Sequence, residues 1–245
     1  MLDCLVLTLP RTPQRLDAFI AQNRKVGFEV QVCQAIDGQD LPREELVAAG
    51  LIDANMTWPA GAIGNALSHR SIWKQCIAKN QPLIALEDDC VIAPHAQETL
   101  SALLSGVEAW DFVLLGYNTN SAVDLKLSPT IDFLGHFSAK HPDTAAIATT
   151  LEEARSTRLF RLNNAFGMCG YVISPLGAAR LLEACFPLRD ETVLIPSLRR
   201  GVISTSLDGL ANGFYRTLNA YACFPPIALS TNDLAQSTVC AGHKH

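Results

Sequence analysis

Continuous apolar runs and helical stripes take turns along the first half of this chain. "CLVLTL" (residues 4–9) is apolar without interruption and ends at Pro10, as expected of a strand covered on both faces. Thr12 or Pro13 can open the helix that follows, with Leu16, Phe19 and Ile20 at helical spacing. "FEVQVCQAI" (28–36) sets Phe28, Val30 and Val32 against Glu29, Gln31 and Cys33, a period of two, before the turn "DGQD" at 37–40. This β-α-β opening implies a parallel strand pair.

After the Pro-Gly punctuation of "WPAG", residues Ile63, Ala66, Leu67, Trp73 and Ile77 share one helical stripe, which Asn80 and Pro82 end. "PLIALE" (82–87) is predicted as a buried strand, "PHAQETLSALLSG" (94–106) as a helix and "WDFVLLG" (110–116) as a strand. Residues 117–157 are rich in Asn, Ser, Thr, Asp and Pro and read as irregular. Order returns with strands at 158–162 and 168–174, a helix at 175–184, a short helix within 206–215 and a last strand at 220–224. Alternating strands and helices predict an α/β fold with one mostly parallel sheet, mixed in the C-terminal half.

Composition narrows the function classes. The formal charge of −5 and the pI near 5.6 argue against a nucleic-acid partner, which calls for a basic stripe. Eight cysteines are scattered with no C-x-x-C pair, which reads as free thiols in a reducing compartment rather than a disulfide frame or zinc site. The N-terminus lacks the basic start and small-residue cleavage site of a secretory signal. The longest uncharged run, 162–179, carries two asparagines, three glycines and a proline, too many breakers for a bilayer span. A cytoplasmic protein is expected, with a surface that leaves room for peripheral contact with a membrane.

Two stretches carry candidate chemistry. In "LIALEDDCVI" (83–92) three carboxylates, Glu87, Asp88 and Asp89, follow a buried strand. Open α/β sheets bind ligands beyond the carboxyl ends of their strands. Two unit charges about 4 Å apart repel by roughly 4 kcal/mol at an effective dielectric near 20, so a cation would relieve the trio. In an extended chain Glu87 and Asp89 point one way and Asp88 the other, which suits Mg²⁺ or Mn²⁺ shared with substrate phosphates. A solvated acidic turn or helix cap is the plainer alternative. In "GAIGNALSHRSIW", Gly61 and Gly64 permit close backbone approach at a helix start able to receive an anion. Ser68 and His69 follow, either as ligands or as a helix polar residue and a packed core histidine. The phosphate-cradling G-x-x-x-x-G-K-[ST] spacing is absent.

The blocks "LVLTLPRTPQRLDAF", "QAIDG", "GAIGNALSHRSIWKQ", "LIALEDDCVI", "WDFVLLG" and "GYVISPLGAARLL" resemble, in that order, the glycosyltransferase family 25 pattern across residues 2–230. That family includes bacterial lipooligosaccharide galactosyltransferases and collagen β-galactosyltransferases. Asn65 departs from it, standing where the family usually has cysteine. Residues 117–157 and "PLRDETVLIPSLRRGVISTSLDG" match no block of it.

The resemblance implies one GT-A-like domain, a Rossmann-type sheet with helices on both faces. Residues 1–116 would form the nucleotide-sugar half and residues 117–245 the acceptor half. It implies a UDP-sugar donor, Mn²⁺ or Mg²⁺, and inverting transfer to a glycan or glycolipid acceptor. By that likeness Glu87 and Asp89 hold the metal and Asp88 lies near the ribose or donor sugar. Thr8, Leu9, Arg11, Arg15, Ala35 and Asp37 line the nucleotide, although Asp37 equally suits an Asx turn. Gly64, Ser68 and His69 are further candidates to touch phosphate or sugar. A late acid serves as base: Asp208 fits best, with Asp190 and Glu191 as rivals and helix capping as the alternative role for Asp208. Two other readings compete, a noncatalytic scaffold of the same fold and a two-metal phosphohydrolase. The latter wants more His and Asp ligands than the sequence offers near the trio.

Overall fold

A computed structural model describes residues 2–137, 142–153, 155–196 and 199–231. Nine strands form its main sheet, in the order β2-β1-β3-β9-β5-β12-β8-β6-β7. The first three are β1 (Asp3–Thr8), β2 (Val30–Gln34) and β3 (Leu83–Glu87), all parallel. β9 (Gly170–Ile173) inserts antiparallel between β3 and β5 (Phe112–Gly116), while β12 (Ala220–Phe224) runs parallel to β5. β8 (Arg158–Ala165), β6 (Ala122–Ser128) and β7 (Ile131–His136) complete the sheet antiparallel. The α/β, GT-A-like reading holds, with parallel pairing confined to β2-β1-β3 and β5-β12 and mixed pairing elsewhere.

The uninterrupted apolar strands are explained by two cores, one on each face. In β1, Leu5 and Leu7 enter one core while Cys4 and Val6 enter the other; β3 divides the same way, Leu83 and Ala85 against Ile84 and Leu86. The first core is covered by α3 (Ala60–Lys79), α6 (Pro175–Cys185) and α7 (Leu207–Ala211). The second is covered by α1 (Pro13–Gln22), α4 (Ala96–Ser105) and α5 (Thr144–Glu153), through Phe19, Leu100 and the pair Ile147 and Leu151. Pro13 opens α1 and Ser174 caps α6 by accepting from Gly177 N, as turn chemistry predicts. Seven cysteines are free thiols, six of them buried; Cys240 lies outside the described residues.

Residues 117–157 differ from the irregular segment that their composition predicts. They hold the β6–β7 hairpin and α5. Val123 and Leu125 are fully buried at a period of two, but the buried Asp124 between them, held by Asn163 and Arg216, keeps the segment polar on average. A second hairpin, β10 (Glu191–Ile195) with β11 (Arg200–Ser204), stands outside the main sheet. A short α2 (Arg43–Ala48) precedes α3, and β4 (Cys90–Ile92) pairs with β13 (Ala228–Ser230) beyond β3.

Candidate active site

A cleft of about 320 Å³ opens where β1, β2 and β3 end. Small-molecule sites begin near this size. Residues 61, 62 and 65 of the first turns of α3 line it, together with Asn118, Gly167–Cys169, Ser206, Asp208 and Ser230. Both halves of the chain therefore contribute walls.

β1 ends in Thr8 at the cleft, the turn after it brings Leu9 and Arg11, and the start of α1 adds Arg15. The Thr8 hydroxyl is buried with no hydrogen-bond partner among the described residues. Lining the cleft, this hydroxyl is free to hydrogen-bond a ligand or water there, and an unmet buried hydroxyl costs about 1–3 kcal/mol. The exit of β2 brings Ala35 and Asp37. Asp37 accepts from Gln39 N at 3.1 Å, an Asx turn, and pairs with the Arg11 guanidinium, whose hydrogen bond holds the carboxyl below its ordinary range.

The three carboxylates occupy three different environments. Asp88 is buried and takes Arg15, with Nε at 2.7 Å and Nη2 at 2.5 Å from Oδ1. Glu87 accepts from Asn65 Nδ2 at 2.8 Å, and His69 Nε2 stands 3.4 Å from the same Oε1. Burial pushes the Glu87 carboxyl up, but His69, Asn65 and the Arg15 charge together outweigh it, and its pKa falls below the ordinary value. Asp89 goes the other way. Burial, then the neighbouring Glu87 charge, push it up to about 6, against a weaker pull from Arg15 and Ser230. Its Oδ1 is buried without a partner among the described residues.

An all-oxygen donor set with one unmet buried carboxylate oxygen fits a hard divalent cation such as Mn²⁺ or Mg²⁺. Among the described residues, no three His, Cys, Asp or Glu side chains are grouped to hold a metal alone. Such a cation commonly takes only one or two carboxylates from the protein and completes its shell with water and substrate phosphate oxygens. The residues present thus fit the group.

Asp208 lines the same cleft from α7. Its Oδ1 accepts from Ser206 Oγ at 2.5 Å and its Oδ2 from Gly167 N at 2.8 Å. Gly167 has φ +89°, and a Cβ there would run into Asn118, so glycine is required at this contact.

Four of the residues singled out from the sequence, Asp190, Glu191, Gly64 and His69, lie elsewhere. Asp190 is exposed, off the cleft, and both its oxygens accept from Thr57 N; its neighbour Glu191 pairs with Arg189 at 2.6 Å. A Cβ on Gly64 would meet the backbone of Ile36 and Gly38, so this glycine admits the 36–38 turn against α3 rather than a ligand. His69 is 1% exposed and sits behind Glu87. Ser68 reaches the cleft wall, but its Oγ accepts from Ile36 N and donates to Gly64 O, so it stitches β2's exit to α3.

Sequence reasoning passed over Asn65 as a ligand of Glu87, and Asn118, Met168, Cys169, Ser206 and Ser230 as cleft residues. Asn65 carried a signal, one turn before His69 on the same helix face. Ser230 carried none, since it arrives by the register of β13 on β4, opposite Cys90.

The sequence model of glycosyltransferase family 25 (LPS biosynthesis protein) matches residues 1–194. A glycosyltransferase 25 family member of Aedes aegypti is 28% identical over 45% of this chain and 20% of its own. The human procollagen galactosyltransferase 2 is 23% identical over 74% of this chain and 27% of its own. The human inactive glycosyltransferase 25 family member 3 is 28% identical over 46% and 21%. The chain spans about a fifth to a quarter of the length of these curated relatives. No described helix is long and apolar enough to cross a membrane. With the cleft at the strand ends and the match over residues 1–194, this chain belongs to glycosyltransferase family 25.

Proposed function

We propose that the protein is a metal-dependent, inverting glycosyltransferase. It moves a hexose, galactose in the first instance, from a UDP-sugar to a glycan or glycolipid acceptor in the synthesis of bacterial lipooligosaccharide or a similar surface glycan. It would work in the cytoplasm, in peripheral contact with the inner membrane. The observation that carries the reading is Asp89, whose buried Oδ1 has no partner among the described residues, in a cleft that Glu87 and Asp88 also line.

Residues 1–116 act as the donor half. Thr8, Leu9 and Ala35 receive the nucleoside, with the Thr8 hydroxyl, which has no partner among the described residues, as its hydrogen-bonding contact. Glu87 and Asp89 hold the cation, which when bound supplies charge neutralisation for the departing diphosphate. Arg15 fixes Asp88 and offsets part of the trio's charge at the donor sugar. Asp208 accepts the proton of the acceptor hydroxyl as that oxygen attacks the anomeric carbon in line, and one displacement inverts the centre. Ser206 and Gly167 N orient it, and each carboxylate oxygen keeps a lone pair for the incoming hydroxyl. The residues from 117 onward shape the acceptor side.

The test is UDP release from UDP-galactose with Mn²⁺, with and without glycan acceptors. Metal-dependent release supports the reading; metal-dependent binding without release supports a noncatalytic binding protein. That second reading has one specific support, the relatives that are themselves called inactive.

A further inference from the structure

Behind Glu87, on the side away from the cleft, three buried rings form a line that the transfer chemistry leaves unused. Trp73 Nε1 lies 2.9 Å from the Tyr171 hydroxyl, and that hydroxyl lies 2.9 Å from His69 Nδ1. His69 Nε2 then stands 3.4 Å from Glu87 Oε1, at the outer edge of hydrogen-bond distance. Trp73 and Tyr171 are fully buried and His69 is 1% exposed, so water does not reach the line.

The direction of each bond follows from what each atom can do. An indole N–H only donates, so the tyrosine oxygen accepts from Trp73. Tyr171 keeps its own proton to donate, and His69 Nδ1 is the hydrogen-bond acceptor within reach of it among the described residues. A neutral imidazole with Nδ1 as acceptor carries its proton on Nε2, the nitrogen that faces Glu87. Asn65 Nδ2 donates to the same Oε1 at 2.8 Å. No hydrogen bond from a described residue falls on Oε2.

Helical spacing produces the arrangement. Asn65, His69 and Trp73 stand at i, i+4 and i+8 of α3, on one stripe that faces the sheet. β9 pairs Tyr171 opposite Ala85 of β3, two residues before Glu87.

We infer that His69 and Asn65 are positioning residues for Glu87. They turn Oε1 toward α3 and leave Oε2 as the oxygen offered to the cleft, with Tyr171 and Trp73 fixing the histidine tautomer that makes this work. The consequence for ligand binding rests on the reading of Glu87 as a cation ligand. Groups that orient metal ligands typically change metal affinity by about 10–100-fold when removed.

Long-range ¹H–¹⁵N correlation on the metal-free protein reads the His69 tautomer, and calorimetry with Mn²⁺ and UDP reads affinity. The wild type is expected as the Nε2–H tautomer, and Tyr171→Phe should shift the Nδ1 resonance. His69→Leu should weaken Mn²⁺–UDP binding by about tenfold. His69→Gln, which keeps an N–H donor, should restore most of it, a rescue that a general packing defect would not give. An Nδ1–H tautomer in the wild type, an Nδ1 resonance unmoved in Tyr171→Phe, or unchanged affinity in His69→Leu each overturns the inference. If the wild type binds no Mn²⁺–UDP, the donor reading fails, and the two resonance measurements alone decide the positioning role.

Discussion

Arg15 reaches from α1 to the end of β3 and places Nη2 2.5 Å from Asp88 and 3.6 Å from Asp89, so one cation spans two of three consecutive carboxylates. The guanidinium and Asp88 are both largely shielded from water, which makes the pair costly to break from one side. Removing one partner of a buried pair typically costs about 3–5 kcal/mol, because the other charge is left uncompensated. Arg15→Gln should therefore lower the thermal midpoint of the metal-free protein by several degrees. Added Mn²⁺ should recover more of that loss in the variant than it adds to the wild type. Differential scanning fluorimetry with and without Mn²⁺ checks this, and equal metal-induced shifts would count against the shared charge.

Asp89 predicts a pH-dependent exchange of stability for function. Its folded pKa is raised to about 6 against an ordinary 3.8, so its contribution is full below 3.8 and is lost as pH rises through about 6. At pH 7.5 the metal-free protein thus carries an ionised, partly buried carboxylate at a cost of about 1–2 kcal/mol after allowance for its partial exposure. Asp89→Asn should be more stable than the wild type at pH 7.5, the difference should fade near pH 4, and Mn²⁺ should no longer stabilise it. Urea titrations at the two pH values measure the difference directly.

Much of this site was legible before the fold was. The acidic trio after "LIAL" announced a strand end, and the structure brings Glu87, Asp88 and Asp89 into one cleft with Thr8, Leu9, Arg11, Arg15, Ala35 and Asp37. These residues sit within a few positions of strand ends, where local pattern and topology agree. What was illegible depended on long-range register or close packing. Gly64 read as room for an anion, yet its space is taken by the 36–38 turn, a contact between segments far apart in sequence. His69 read either as a ligand or as a packed core histidine one turn before Trp73, and the structure gives the second, buried on α3. The β6–β7 hairpin was hidden by Asp124, a buried charge that only its distant partners Asn163 and Arg216 make tolerable.

Gly64 also offers a packing test. A Cβ there would meet backbone atoms of Ile36 and Gly38, which cannot swing aside as a flexible side chain can. Gly64→Ala should destabilise the protein by about 1–3 kcal/mol, the usual cost of overpacking, and displace the turn that carries Asp37. Urea unfolding gives the energy, and a matching loss of UDP affinity would tie it to the cleft.

Asp208 is held at both oxygens, by Ser206 and by Gly167 N, so its orientation survives removal of its charge. Asp208→Asn should keep donor binding within about threefold and lose about 10²–10⁴-fold in turnover, the usual worth of a general base. Turnover and UDP affinity measured on one preparation separate the two effects. Unchanged turnover would remove Asp208 from the chemistry.

The central claim is that Asp89, with Glu87, holds a divalent cation on the donor diphosphate. Calorimetric titration of UDP into the wild type and into Asp89→Ala, each with and without Mn²⁺, tests it most directly. The account predicts metal-dependent UDP binding in the wild type and its loss in a folded Asp89→Ala. Metal-dependent binding that survives in Asp89→Ala, or wild-type UDP binding indifferent to Mn²⁺, would contradict it.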